Sequence, residues 1–130
     1  MIVVDASAVL EVLLRTPVAS AIERRLFAPG EALHAPHLID IEITHVLRRY
    51  AAAGDMSAER GLEALEDLAD LSVRRYPHDI FLPRVWELRA NLTAYDAVYV
   101  ALAEALGAPL LTRDRRIANA ARHHARVEVV

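Results

Sequence analysis

The sequence contains no cysteine. Disulfides, thiolate zinc sites, iron–sulfur clusters and cysteine nucleophiles therefore drop out together, as suits a reducing compartment. Lysine is absent too, since all fifteen cationic side chains are arginine. The only glycines are Gly30, Gly54, Gly61 and Gly107, and none are closely spaced. The chain can thus build neither a Walker A loop nor a GxGxxG dinucleotide turn. Schiff-base catalysis and lysine-dependent aspartyl-phosphate chemistry are excluded by the missing lysine. Aromatic residues make up 5% of the chain, which gives little for a base-stacking platform. No apolar run approaches the roughly 20 residues that span a bilayer, and the N-terminus lacks a basic segment leading into an apolar signal core. The expectation is a cytoplasmic protein with no membrane association. Eighteen acids leave a net charge of −3, so any binding of a phosphate backbone must be local or assisted by a metal.

What the chain does have is 55% hydrophobic and 25% charged residues over 130 positions, the ratio and length of one globular domain, residues 1–130. Ile2-Val3-Val4 reads as a buried strand ended by Asp5, and Ala8 to Leu14 as a first helix. Thr16 before Pro17 reads as the cap of a second helix, Pro17 to Phe27. A weak strand, Ala32 to Ala35, is closed by Pro36. Leu38 to Ala53 is strongly amphipathic, and Ser57 caps a partner helix running to about Leu68. Ser72 to Arg75 reads as a third strand and Asp79 to Arg89 as a helix with Val85, Trp86 and Leu88 on its inner face. Thr93 to Leu106 is apolar around almost its whole circumference and belongs inside. Leu110 to Thr112, Arg115 to Arg122 and Val127 to Val130 read as strand, helix and strand. Alternation of this kind implies a parallel sheet with helices on both faces, whose crevice lies beyond the carboxyl ends of the strands.

That topology brings Asp5 and Asp114 to one edge. Taken singly, an aspartate after a strand is most often a turn former or helix cap. Glu42 falls between Leu38 and Val46 on a helical wheel, inside the arc of Ile39, Ile43 and Leu47, and so interrupts an apolar face. It either meets a cation there or reaches solvent and Arg49. Asp96 fits the capping pattern in Thr93-Ala94-Tyr95-Asp96, and the same helix start also aims it at the strand ends. As a set, four acids at one sheet edge repel one another unless a cation joins them. Oxygen-only donors, with six histidines that never show paired ligand spacing, point to Mg²⁺ or Mn²⁺ over Zn²⁺, and hence to phosphate chemistry.

The stretches Val3-Val4-Asp5-Ala6-Ser7, Leu92 to Ala103 with its Thr-Ala-Tyr-Asp-Ala core, and Leu111-Thr112-Arg113-Asp114, with Glu42 between them, resemble the motifs of PIN-domain ribonucleases. More narrowly they resemble VapC, the toxin of VapBC toxin–antitoxin pairs, over essentially the whole chain. The resemblance implies a five-stranded parallel sheet of order 3-2-1-4-5 between helices. It implies that Asp5, Glu42, Asp96 and Asp114 form the catalytic metal site of a Mg²⁺-dependent endoribonuclease, with Ser7 and Thr112 hydrogen-bonding within it. Water activated by the metal would attack phosphorus in line and leave 5′-phosphate and 3′-hydroxyl ends. RNA would be met by arginines near the crevice, with Arg113, Arg115 and Arg116 best placed in the sequence. The implied partners are a VapB-type antitoxin docked on the apolar first two helices, and a second copy of the chain, giving a homodimer and a toxin–antitoxin hetero-oligomer. A processing nuclease without an antitoxin and a silent interaction module would share these motifs.

Overall fold

β1 (Ile2–Val4) is three apolar residues long, and each is fully buried, because the strand lies in the middle of a sheet covered on both faces. In the computed structural model, which describes all of residues 1–130, it pairs with β2 (Leu33–Pro36) on one side and β4 (Leu110–Thr112) on the other. β3 (Val73–Tyr76) and β5 (Val127–Val129) complete an all-parallel sheet of order β3-β2-β1-β4-β5. That is the order the resemblance implied. The chain winds outward from β1 to β3, then returns to the far side of β1 as β4. The carboxyl ends of β1 and β4 therefore flank the point where the winding reverses, which is where such sheets open a crevice.

The helices are α1 (Ala6–Leu13), α2 (Ala19–Leu26), α3 (Leu38–Ala52), α4 (Ala58–Asp70), α5 (Leu82–Glu87), α6 (Ala94–Leu106) and α7 (Arg115–Asn119). α6 crosses β1, β2 and β4, with Ala97 to Ala103 buried throughout. The Thr93 hydroxyl caps its start, and Gly107 at φ 61° closes its end in the left-handed region that other residues resist. α3 buries Ile39, Ile43 and Leu47, a ridge at four-residue spacing. No helix is long and apolar enough to cross a membrane.

Local chemistry moves several expected boundaries. The second helix begins at Ala19 instead of Pro17: the Thr16 hydroxyl donates to Glu11 and caps no amide, and the Ala19 amide bonds the Thr16 carbonyl at 3.0 Å. Residues 79–89 split into a 3-10 turn, Asp79–Phe81, and the short α5, since Pro83 has no N–H to continue a helix begun at Asp79. With only one turn or so to bury, α5 commits Leu88 to the core and leaves Trp86 66% exposed, with the Arg89 guanidinium 4.6 Å over its ring. Trp86 is therefore not an inner-face residue. α7 stops at Asn119, where Ala120 turns extended, short of the expected Arg122. β3 sits one residue later than its sequence pattern, and β2 includes Pro36 at its last position, beside Tyr76.

Candidate active site

Asp5 follows β1 directly and caps α1. Its Oδ1 accepts the Ala8 amide at 3.1 Å and the Ser7 hydroxyl at 2.6 Å, while Oδ2 accepts the Thr112 hydroxyl at 2.5 Å. Only 7% of Asp5 is exposed. The cap role read from the sequence is thus real, but it uses one of three bonds. Thr112, fully buried at the end of β4, receives the Asp114 amide at 3.0 Å, and Ser7 receives the Arg113 amide at 3.0 Å. The two hydroxyls therefore stitch the loop after β4 onto the loop after β1. Both expected hydrogen-bonding residues are in contact with the site.

Burial raises the Asp5 carboxyl above the ordinary carboxylate range; the two hydroxyls and the Ala8 amide oppose this, and the nearby charge of Asp96 adds to it. Glu42 is half-buried on α3, one residue before Ile43. Its Oε1 accepts the Tyr99 hydroxyl at 2.6 Å, so it faces α6 and not Arg49. Burial raises it as well, countered by the Tyr99 bond and reinforced by Asp5 and Asp96. Asp96, partly buried at the start of α6, is raised first by burial and further by the charge of Asp114; Thr93 and Arg116 oppose the shift. Of the capping box only the hydroxyl half is made, from the Asp96 amide to Thr93 at 3.2 Å.

Asp114 behaves differently. It caps α7 through the Arg116 amide at 2.9 Å, and the Arg116 guanidinium grips both of its oxygens, the closest contact being 2.6 Å. This ion pair is the first cause of its lowered pKa. Arg116 is thereby committed to an acid of the site. Arg113 lies against Glu11 at 3.4 Å and donates to the Val130 carbonyl. Of the three expected substrate arginines, Arg115 alone is exposed with no ion pair.

No three Asp, Glu or His side chains converge at metal-ligating distance in this arrangement. Asp5 is held by hydroxyls, Glu42 by Tyr99 and Asp114 by Arg116. The donor chemistry nevertheless fits a hard divalent cation. All four acids supply only oxygen, and three of them resist ionisation partly because of one another. Asp114 alone among the four is paired with a guanidinium.

Beside the acids lies a cleft of about 400 Å³ lined by Ser7, Glu42, His45, Arg49, Tyr50 and Arg113, among others. Glu42, His45 and Arg49 occupy one face of α3 at three- and seven-residue spacing. Arg49 is exposed and makes no ion pair. Sequence reasoning put Arg49 forward only as a partner for Glu42, and it missed Tyr99 as a site residue. The signal for Tyr99 was its place one turn after Asp96, inside the buried helix.

The PIN domain family model matches residues 2–123. Ribonuclease VapC9 of Mycobacterium tuberculosis is 48% identical over 130 residues, covering 100% of this chain and 98% of that one. Ribonuclease VapC12 of the same species is 42% identical, covering 100% and 99%. Among solved structures, PAE2754 of Pyrobaculum aerophilum superposes with a TM-score of 0.72 at 27% identity, over 99% of this chain and 83% of that one.

Proposed function

The chain belongs to the PIN-domain family, alongside VapC ribonucleases, and from that membership we propose that it is a metal-dependent endoribonuclease, the toxin of a type II toxin–antitoxin pair, which hydrolyses RNA phosphodiester bonds and inhibits translation. The observation that carries the reading is Asp5: an almost buried carboxylate at the winding-reversal point, coupled in charge to Asp96 and Glu42. A protein built only for stability gains nothing from such repulsion.

Asp5, Glu42, Asp96 and Asp114 would hold Mg²⁺ or Mn²⁺. When bound, the cation supplies neutralisation of the scissile phosphate and an activated water. The chain's own residues do the positioning. Ser7 and Thr112 fix both Asp5 oxygens, so that this carboxylate does not rotate away from the crevice. The same hydroxyls fasten the Arg113 and Asp114 amides, which sets the loop carrying Asp114 against β1. Arg49, His45 and Arg113 along the cleft, with Arg115 outside it, are suited to the phosphates flanking the cut. Arg116 holds Asp114 in charge balance.

The antitoxin has a suitable surface on the far side of α1. A cleft of about 530 Å³ is lined by Val12, Leu13, Phe27 and Leu71 together with Arg15, Glu23, Asp67 and Asp70. An apolar helix bearing basic residues matches it. Exposed Ile80, Leu82, Trp86 and Tyr95 offer an apolar surface for a second copy of the chain. The substrate puts the site of action in the cytoplasm.

Expression without the antitoxin should arrest growth, and Asp5→Asn or Asp114→Asn, at wild-type abundance, should relieve the arrest. Two variants as toxic as the parent would remove the metal-site assignment.

A further inference from the structure

Tyr99 carries the one hydrogen-bonding group on the buried face of α6. Its neighbours Ala97, Val98, Val100 and Ala101 are apolar, and Tyr99 itself is only 2% exposed. A phenol in such a place must find polar partners, because an unpaired hydroxyl in the core is costly. Tyr99 finds one: its hydroxyl donates to Glu42 Oε1 at 2.6 Å. Glu42 is on α3 and Tyr99 is on α6. The bond therefore ties together the two helices that carry Glu42 and Asp96.

Geometry gives this bond a direction. Glu42 has the longest side chain of the four acids and no cation or backbone amide holding it, and its flanking neighbours Ile39 and Ile43 are buried apolar residues. Without the phenol its carboxylate is free to turn along α3 toward His45 and Arg49, which line the adjoining cleft. With the phenol, it stays beside Asp5 and Asp96, where it feels the charge of both.

We propose that Tyr99 is a positioning residue, whose hydroxyl holds the Glu42 carboxylate in the acid cluster so that it contributes to divalent-cation binding. The inference rests on the metal-site reading given above. It concerns a hydrogen bond to a ligand and not contact with substrate, so its first effect is on cation affinity. Removing a partner that orients a metal ligand commonly weakens affinity by about 10- to 100-fold.

Tyr99→Phe deletes one oxygen and keeps the ring that α6 packs with. Mn²⁺ binding, measured by calorimetry on wild type, Tyr99→Phe, Glu42→Gln and the double variant, tests the proposal without reference to cleavage. The expected result is a dissociation constant for Tyr99→Phe raised about tenfold. The double variant should bind no more weakly than Glu42→Gln alone, because the phenol acts through that carboxylate. Thermal unfolding of the same samples with and without Mn²⁺ provides a second reading: the Mn²⁺-induced rise in melting temperature should shrink in Tyr99→Phe whatever its metal-free value. Wild-type Mn²⁺ affinity in Tyr99→Phe, beside a weakened Glu42→Gln, overturns the positioning role and leaves the metal site intact. Unchanged affinity in Glu42→Gln and in an Asp5→Asn control overturns both.

Discussion

Asp96 separates a structural acid from a functional one more sharply than the other three do. Thr93 already caps α6, so the Asp96 carboxylate is not needed to start the helix. Its pKa is raised, by burial first and then by Asp114. A raised carboxyl contributes stability that is full below the unfolded value and is lost as pH rises through the folded one. Replacing it with Asn should therefore leave the metal-free protein unchanged at acidic pH and stabilise it by up to about 1 kcal/mol near neutrality. Were the carboxylate a cap, the same variant would instead lose on the order of 0.5–1 kcal/mol at neutral pH. Denaturation midpoints in EDTA across pH give the sign. In excess Mg²⁺ the comparison should reverse, with wild type gaining from ligand linkage that the variant lacks. A variant less stable in EDTA that retains the wild-type response to Mg²⁺ would make Asp96 a structural residue.

Among the elements, α3 joins the core to the cleft beside the acids. One face buries Ile39, Ile43 and Leu47, and the neighbouring stripe presents Glu42, His45 and Arg49 to the cleft beside Ser7. Arg49→Ala should leave folding and Mn²⁺ affinity alone, weaken RNA binding by an Asp5→Asn protein several-fold, and reduce the salt slope of that binding by about one. Equal RNA affinity at low salt would exclude the α3 stripe from the RNA path. Much of this element was legible beforehand. The four-residue apolar spacing announced α3, and Glu42 stood out because a carboxylate interrupted that spacing. That Tyr99 is the partner of Glu42 was not legible, because the two lie 57 positions apart and its place one turn after Asp96 marks Tyr99 as near the site without saying which acid it meets. The committed state of Arg116 was hidden for another reason: an i to i+2 pairing with Asp114 follows no helical or strand periodicity. The second helix begins at Ala19 with no side-chain cap, and the Thr16 hydroxyl bonds Glu11.

At the scale of the whole molecule, the parallel order β3-β2-β1-β4-β5 does most to make the site. It lets residues 107 positions apart, Asp5 and Thr112, share a hydrogen bond at adjacent strand ends. Strand alternation and chain order carried that topology in the sequence, which is why the four acids could be grouped before any coordinates. Their distances could not, because rotamers at a crevice answer to partners such as Arg116 and Tyr99 more than to backbone order. The mixed apolar and acidic cleft along α1, α2 and α4 shares no lining residue with the cleft beside the acids, so an antitoxin that covers both must span from one to the other. The most direct test of the molecule as a metal-dependent ribonuclease is cleavage of RNA by the purified protein, with 5′ ends sequenced, in Mg²⁺, in EDTA, and in EDTA back-titrated with Mn²⁺. Cleavage at defined positions in Mg²⁺, abolished by EDTA, restored by Mn²⁺ and absent in a folded Asp5→Asn protein is the expected result. Cleavage that persists in EDTA, or an Asp5→Asn protein that cuts at the wild-type rate, would contradict it.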